Sequence, residues 1–369
     1  MRILWAGTFD PAFARNRKLA RLLDLLGTDV EQVRFRLWAD DRVDEARGGK
    51  LRAVLKMLTV YPRLAWTLLR TPAPDAYLVS YPGWFDLPLV ALVARIKRRP
   101  VVFDPFISLF DTVIADRRMY GSGSLAARAT HLVDRWSVRL ADLVLADTQA
   151  HLDYFRELAP AGTFSGGVLP LGADDTVFAP TGTVGTEDDL VVFHGTFVPL
   201  QGVTTIAEAA DHLRDDAVRI RVVGDGQDRD ALLDRLRELG ATNVEWVGLR
   251  PLATIPAEIE RAAVCLGIFG TSDKAGRVVP NKLYECLAVG RPVITRDSPA
   301  IEAMFAPGEV VTVPSDDPGA LADAIRRLLS DADEREAVAA AGHRAYLERF
   351  HERTLVQELG RHLDDAVRT

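Results

Sequence analysis

Residues 274–295, KAGRVVPNKLYECLAVGRPVIT, set three cations and one carboxylate around the start of a helix that runs into a buried strand. Pro280 suits the first turn of that helix, and Leu283, Leu287 and Ala288 supply its apolar stripe. Gly290 ends it, and residues 292–295 resume as a strand. Lys274, Arg277 and Lys282 beside a helix N-terminus make an anion site. Glu285 stands one turn beyond Asn281 on the same face, placed to accept hydrogen bonds from hydroxyl groups. Together they fit a phosphorylated, polyhydroxylated ligand such as a nucleotide sugar. A solvated helix start with an ordinary surface glutamate fits the same spacing.

The elements that must position these groups alternate along the chain. Apolar, strand-like runs at 2–6, 32–37, 76–80, 101–104, 143–146 and 168–171 are separated by helix-period segments. The pattern repeats at 190–194, 218–223, 244–247, 264–268, 293–295 and 310–313. It predicts an α/β protein of two Rossmann-like parallel-sheet domains facing each other across a cleft lined by the carboxyl ends of their strands. Residues 172–188, rich in Gly, Ala, Pro, Thr and acids, read as the linker between domains at 1–178 and 186–350. Residues 317–369 read as three helices, the last at 352–369.

Glycine turns follow several strands. Gly7 precedes a helix start flanked by Arg15, Asn16 and Arg17, a candidate phosphate loop. His194-Gly195-Thr196 and Gln201-Gly202 repeat that logic in the second half, and Gly224 and Gly226 form a third turn. Any one of these could serve the corner alone; their recurrence around one cleft is the stronger sign. Gly224-Asp-Gly226 lacks the third glycine of a dinucleotide fingerprint, which disfavours a nicotinamide enzyme.

At 369 residues the chain exceeds one core, and its 48% hydrophobic and 26% charged residues are ordinary for a globular protein. A net charge of −7 argues against a nucleic-acid partner. The only cysteines, Cys265 and Cys286, lie in apolar runs, so a reducing compartment is expected. Residues 1–7 are too short for a signal peptide, and no apolar run reaches about 18 residues, so a cytoplasmic protein is expected. Metal-ligand spacing is not visible. One segment breaks the acidic balance: residues 47–70 carry six cations and no acid, with Leu51, Leu55, Leu58, Trp66 and Leu69 among them and a kink expected at Pro62. It fits an anionic membrane surface, or two helices packed on the sheet with a solvated cationic face.

HGTFVPLQG at 194–202, VVGDGQ at 222–227, NVEWVG at 243–248 and VPNKLYECLAVGRPVIT at 279–295 resemble the retaining GT-B glycosyltransferases of the family-4 kind. ADLVLADTQAHLDYF at 141–155 and VLPLGADDTVF at 168–178 extend the resemblance to the first half. It implies hexosyl or related transfer from a nucleotide-diphosphate sugar, UDP- or GDP-linked, held by the second domain. The acceptor would be a lipid-linked or cell-surface glycan precursor on the first domain, with the last helix packing back on that domain. No metal or other cofactor is implied.

The resemblance makes Glu285 the second glutamate of an E-x7-E element, holding the donor ribose. The first glutamate would fall at Arg277 and is absent. The Arg and Lys that relatives place after the first strand of the second domain fall at Thr196 and Gln201, so Lys274, Arg277 and Lys282 become the substitute cations. Gly195, Gly224, Gly226, Pro280 and Asn281 complete the expected donor site. Asp104 and Asp111 stand near the place of the relatives' His-Asp pair and, with His194, are the catalytic candidates. Asp104 could instead cap a turn, and His194 could be satisfied by backbone. Two other readings remain: an epimerase of the same fold, and a non-catalytic nucleotide-sugar-binding protein.

Overall fold

A computed structural model describes residues 1–35, 50–116, 119–121, 123–160, 162–182 and 184–368, with the side chains of 50–56 and 115–116 left aside. By contacts the chain divides into two units. The first comprises 1–110, 123–170 and 355–369; the second comprises 111–122 and 171–354.

Unit 1 alternates β1 (Arg2–Gly7), α1 (Ala14–Leu25), β2 (Asp29–Arg34), α2 (Lys50–Arg70), β3 (Ala76–Ser80), α3 (Leu87–Lys97), β4 (Val101–Phe106), α4 (Leu125–Leu140), β5 (Leu143–Ala146), α5 (Gln149–Leu158) and β6 (Gly166–Val168). Its six strands form one parallel sheet in the order β2-β1-β3-β4-β5-β6. Inner strands read as continuous apolar runs because both faces are covered. On one face Leu64 and Leu68 of α2 and Val90, Val93 and Ala94 of α3 pack against β1, β3 and β4, with Val133 of α4 beside them. On the other, Leu19, Leu22 and Leu23 of α1 meet Leu355, Leu359 and Leu363 of the last helix.

Two strands depart from expectation. β2 begins at Asp29, three residues before the expected run, and residues 36–37 of that run lie outside the described residues. As the sheet's edge strand it carries polar Asp29, Glu31 and Gln32, which erase the apolar signal. β6 is Gly166–Val168 and not 168–171, because Pro170 has no N–H to give a ladder. α2 runs unbroken through Pro62, which forfeits one backbone hydrogen bond without ending the helix. Residues 47–49 of the basic segment lie outside the described residues.

Unit 2 runs β7 (Glu187–Thr196), α6 (Val203–His212), β8 (Arg219–Asp225), α7 (Arg229–Leu239), β9 (Val244–Gly248), α8 (Ile255–Arg261), β10 (Ala262–Leu266), α9 (Asp273–Arg277), α10 (Asn281–Val289), β11 (Val293–Arg296), α11 (Pro299–Met304), β12 (Val311–Val313), α12 (Pro318–Ser330) and α13 (Ala332–Ala345). A final helix, α14 (Glu352–Arg368), starts here, and from Leu355 it belongs to unit 1. The parallel sheet order is β12-β11-β10-β7-β8-β9. From β7 the chain runs outward through β8 and β9, then crosses to β10 on the other side of β7. The switch point is therefore between β7 and β10, where open α/β sheets bind ligands outside the carboxyl ends of their strands.

Candidate active site

His194 lies near the carboxyl end of β7, and Glu285 projects from the second turn of α10, which follows β10 and α9. The imidazole Nε2 stands 2.7 Å from a Glu285 carboxylate oxygen. An ionised carboxylate only accepts, so Nε2 donates in this pair. The ring Nδ1 is buried with no hydrogen-bond partner. Glu285 keeps partial exposure, with carboxylate capacity left for ligand hydroxyls.

Lys282, one turn earlier on α10, is buried. Its ammonium donates to the Gln201 side-chain oxygen at 2.9 Å and sits 3.4 Å from the centroid of the Phe193 ring. Burial holds it well below the usual lysine range, while Cys286 and Glu285 pull the other way. Gln201 is also buried, on the short turn Pro199–Gln201 after β7. Gly195 leaves room for this pair: a Cβ there would lie 2.6 Å from the Gln201 oxygen and 2.8 Å from the Lys282 nitrogen, so both side-chain ends would have to move. Gly224 faces Gly195 across the sheet, and its Cβ would come within 1.9 Å of the Gly195 carbonyl oxygen. Gly226 lies against the Phe197 backbone, and Thr196 is exposed at the end of β7. His194, Gly195, Gln201, Lys282 and Glu285 thus converge at the switch point, with Gly224 supporting the turn.

The cations divide differently from the sequence expectation. Lys274 and Arg277 lie on α9, capped by the Ser272 hydroxyl, and not on the helix that carries Lys282 and Glu285. Pro280 occupies the position before the first turn of α10, with extended backbone, and Asn281 begins the helix. Lys274 is buried. Arg277 is held by Asp111, which opens the π-helical turn Asp111–Asp116 within unit 2.

In unit 1 the expected loop residues are hydrogen-bonded to groups of the chain itself. Arg15 and Asp104 are both buried and joined at 2.8 Å, and Arg15 also donates to the Leu169 carbonyl. The Asn16 amide donates to the carbonyls of Asp10 and Tyr81, and the exposed Arg17 donates to that of Ala12. Gly7 abuts Asp86 of the α3 start, whose carboxylate takes the Thr8 N–H at 2.7 Å and the Tyr61 hydroxyl at 3.1 Å. Burial pushes the Asp86 carboxyl up, against those hydrogen bonds. Sequence reading missed Asp86 and Phe193. The only local signal for Asp86 was a glycine turn 79 residues away in the chain, and Phe193 read simply as a core strand residue.

Among the described residues no group of three or more His, Cys, Asp or Glu is placed to hold a metal ion. None of the described helices is long and apolar enough to cross a membrane.

Comparison with known proteins agrees with this architecture. The Anabaena protein Alr3699/HepE, solved in complex with UDP, superposes with a TM-score of 0.70 at 18% identity, over 99% of this chain and 100% of that one. Sucrose-phosphate synthase from Thermosynechococcus elongatus gives 0.74 at 17% identity, over 99% and 98%. The putative colanic acid biosynthesis glycosyl transferase WcaI of Escherichia coli is 27% identical over 173 residues, 46% of this chain and 40% of that protein. The alignment therefore spans less than half the length of that relative. Residues 14–163 match the model of the glycosyl transferase 4-like domain, and residues 188–331 match that of glycosyl transferases group 1. The chain is thus built from a glycosyl transferase 4-like domain followed by a glycosyl transferases group 1 domain, two glycosyltransferase modules on the GT-B fold.

Proposed function

We propose that this protein is a retaining glycosyltransferase that moves a hexosyl or related group from a UDP- or GDP-sugar, without a metal, to a lipid-linked or cell-surface glycan precursor. The observation that carries the proposal is the His194–Glu285 hydrogen bond at the β7/β10 switch point, beside the buried Lys282 ammonium. Glu285 has the chemistry to hold ribose hydroxyls, and Lys282 to meet the charge that develops on a departing diphosphate. His194, already oriented by Glu285, would face the transferred sugar. Support for a uridine nucleotide comes from the HepE structures, solved with UDP and with UDP-glucose.

Residues 186–350 would hold the donor, and residues 1–178 with the helix 352–369 the acceptor. The cytoplasmic side of a membrane, touched through residues 47–70, is where such an acceptor would be met. Incubation with labelled UDP-, GDP- and dTDP-sugars and a lipid or sugar acceptor tests the proposal. Labelled product on the acceptor, with the donor's anomeric configuration kept, is the expected outcome. Inversion at the sugar C2, or nucleotide-sugar binding without turnover, would overturn it.

A further inference from the structure

We infer that unit 1 docks on an anionic lipid surface through a face built jointly by α2, α3 and α4, of which the basic sequence segment is only one edge. The inference deepens the membrane contact proposed above and rests on that reading. All three helices cover the same side of the unit 1 sheet, α2 packed on α3 and α3 on α4, so their opposite sides turn outward together. Lys97 of α3 ties the first two by donating to the carbonyls of Leu68 and Thr71 at the end of α2.

Each outward stripe mixes large apolar side chains with arginines at helical spacing. On α2, Leu58 and Trp66 are 67% and 59% exposed, and the Arg70 guanidinium lies 3.9 Å from the Trp66 ring. On α3, Leu92 and Ile96 are 56% and 63% exposed, with Arg95 beside them. On α4, Leu132 and Trp136 are 52% and 53% exposed, alternating with Arg135 and with Arg139, whose guanidinium lies over the Trp136 ring. Apolar side chains this large and this exposed, on three adjacent helices, mark an interaction surface.

Charge selects the occupant. The chain carries a net charge of −7, yet the sequences of α2, α3 and α4 hold a single acid, Asp134. Asp134 is buried and turned inward, accepting from the Ser108 hydroxyl and the Leu109 and Phe110 amides. Among the described residues Arg95, Arg135 and Arg139 have no acidic partner. An anionic bilayer offers both phosphates for the arginines and an acyl boundary for leucine, isoleucine and tryptophan. A nucleic acid would leave Leu92 and Ile96 without a counterpart, and a second copy of the face would set arginine against arginine.

Flotation of the full chain with phosphatidylcholine vesicles, with and without phosphatidylglycerol, tests the face. The protein should float only with the anionic vesicles and be released by salt. The α4 double variant Leu132→Glu/Trp136→Glu and the α3 variant Leu92→Glu should each lower the binding constant at least about five-fold, as Trp66→Glu on α2 should. UDP affinity, unchanged in all of them, reports that the variants fold. If the α3 and α4 variants bind like wild type while Trp66→Glu does not, the joint face is overturned and contact through the 47–70 segment stands. Absence of wild-type binding overturns both. Self-association, or capture of RNA in place of vesicles, abolished by the same variants, would also overturn the inference.

Discussion

Arg277 grips Asp111 through two hydrogen bonds, Nε to one carboxylate oxygen at 3.1 Å and a terminal nitrogen to the other at 2.7 Å. Such forked pairs fix orientation as well as charge. The Arg277 guanidinium, expected from the sequence as a donor-site cation, is therefore committed to a carboxylate from 166 residues away. Lys282 stands on the candidate donor helix itself.

The pair is asymmetric, and its two halves should respond unequally to truncation. Asp111 is 1% exposed and Arg277 is 23% exposed. Arg277→Ala strips both guanidinium bonds from a carboxylate that water cannot reach, and should cost about 3 kcal/mol of stability. Asp111→Ala leaves a guanidinium that can turn to solvent, and should cost about 1 kcal/mol. Urea unfolding of both single variants and the double variant measures this; equal losses would show that burial does not set the cost.

The glycine turn is equally specific. Gly224→Ala forces a methyl group against the Gly195 carbonyl and should destabilise by about 3 kcal/mol, while Gly276→Ala within α9 meets nothing within 4 Å. The second variant should be neutral or stabilise by up to about 1 kcal/mol. Thermal unfolding of the two side by side checks the contrast.

A pH dependence follows from Lys282. Its ordinary value is 10.5, and burial holds it well below that in the folded protein. An unfolded chain keeps the proton up to the ordinary range, so this group lets stability rise with pH from its folded value toward 10.5. A bound diphosphate favours the charged form. Nucleotide binding should therefore take up a proton above the unliganded pKa of Lys282, and affinity should fall as pH rises through it. Calorimetry in buffers of different ionisation enthalpy measures the uptake, which Lys282→Met should remove; uptake that persists would assign the proton elsewhere.

What was legible in the sequence follows from the range of the interactions. Strand periodicity and glycine corners are local, so both sheets and the helix that carries Lys282 and Glu285 could be read. Arg15 and Asp104 lie 89 residues apart, and nothing in either segment reveals that each neutralises the other. The same is true of Arg277 and Asp111. Lys282 was legible as a cation, but its burial over Phe193 depends on how β7 and α10 pack. β6 was misplaced because Leu169 and Leu171 are buried and look like strand residues, although the strand ends at Val168 just before Pro170.

The central claim, that the β7/β10 switch point of unit 2 holds a nucleotide sugar through Glu285, is tested most directly by titrating UDP and GDP into wild type and Glu285→Ala by calorimetry. Loss of a hydrogen-bonding carboxylate should weaken the nucleotide that wild type binds by at least about ten-fold, and should cost about 1 kcal/mol of folded stability as buried His194 loses its partner. Equal affinity of the two proteins for that nucleotide would contradict the account.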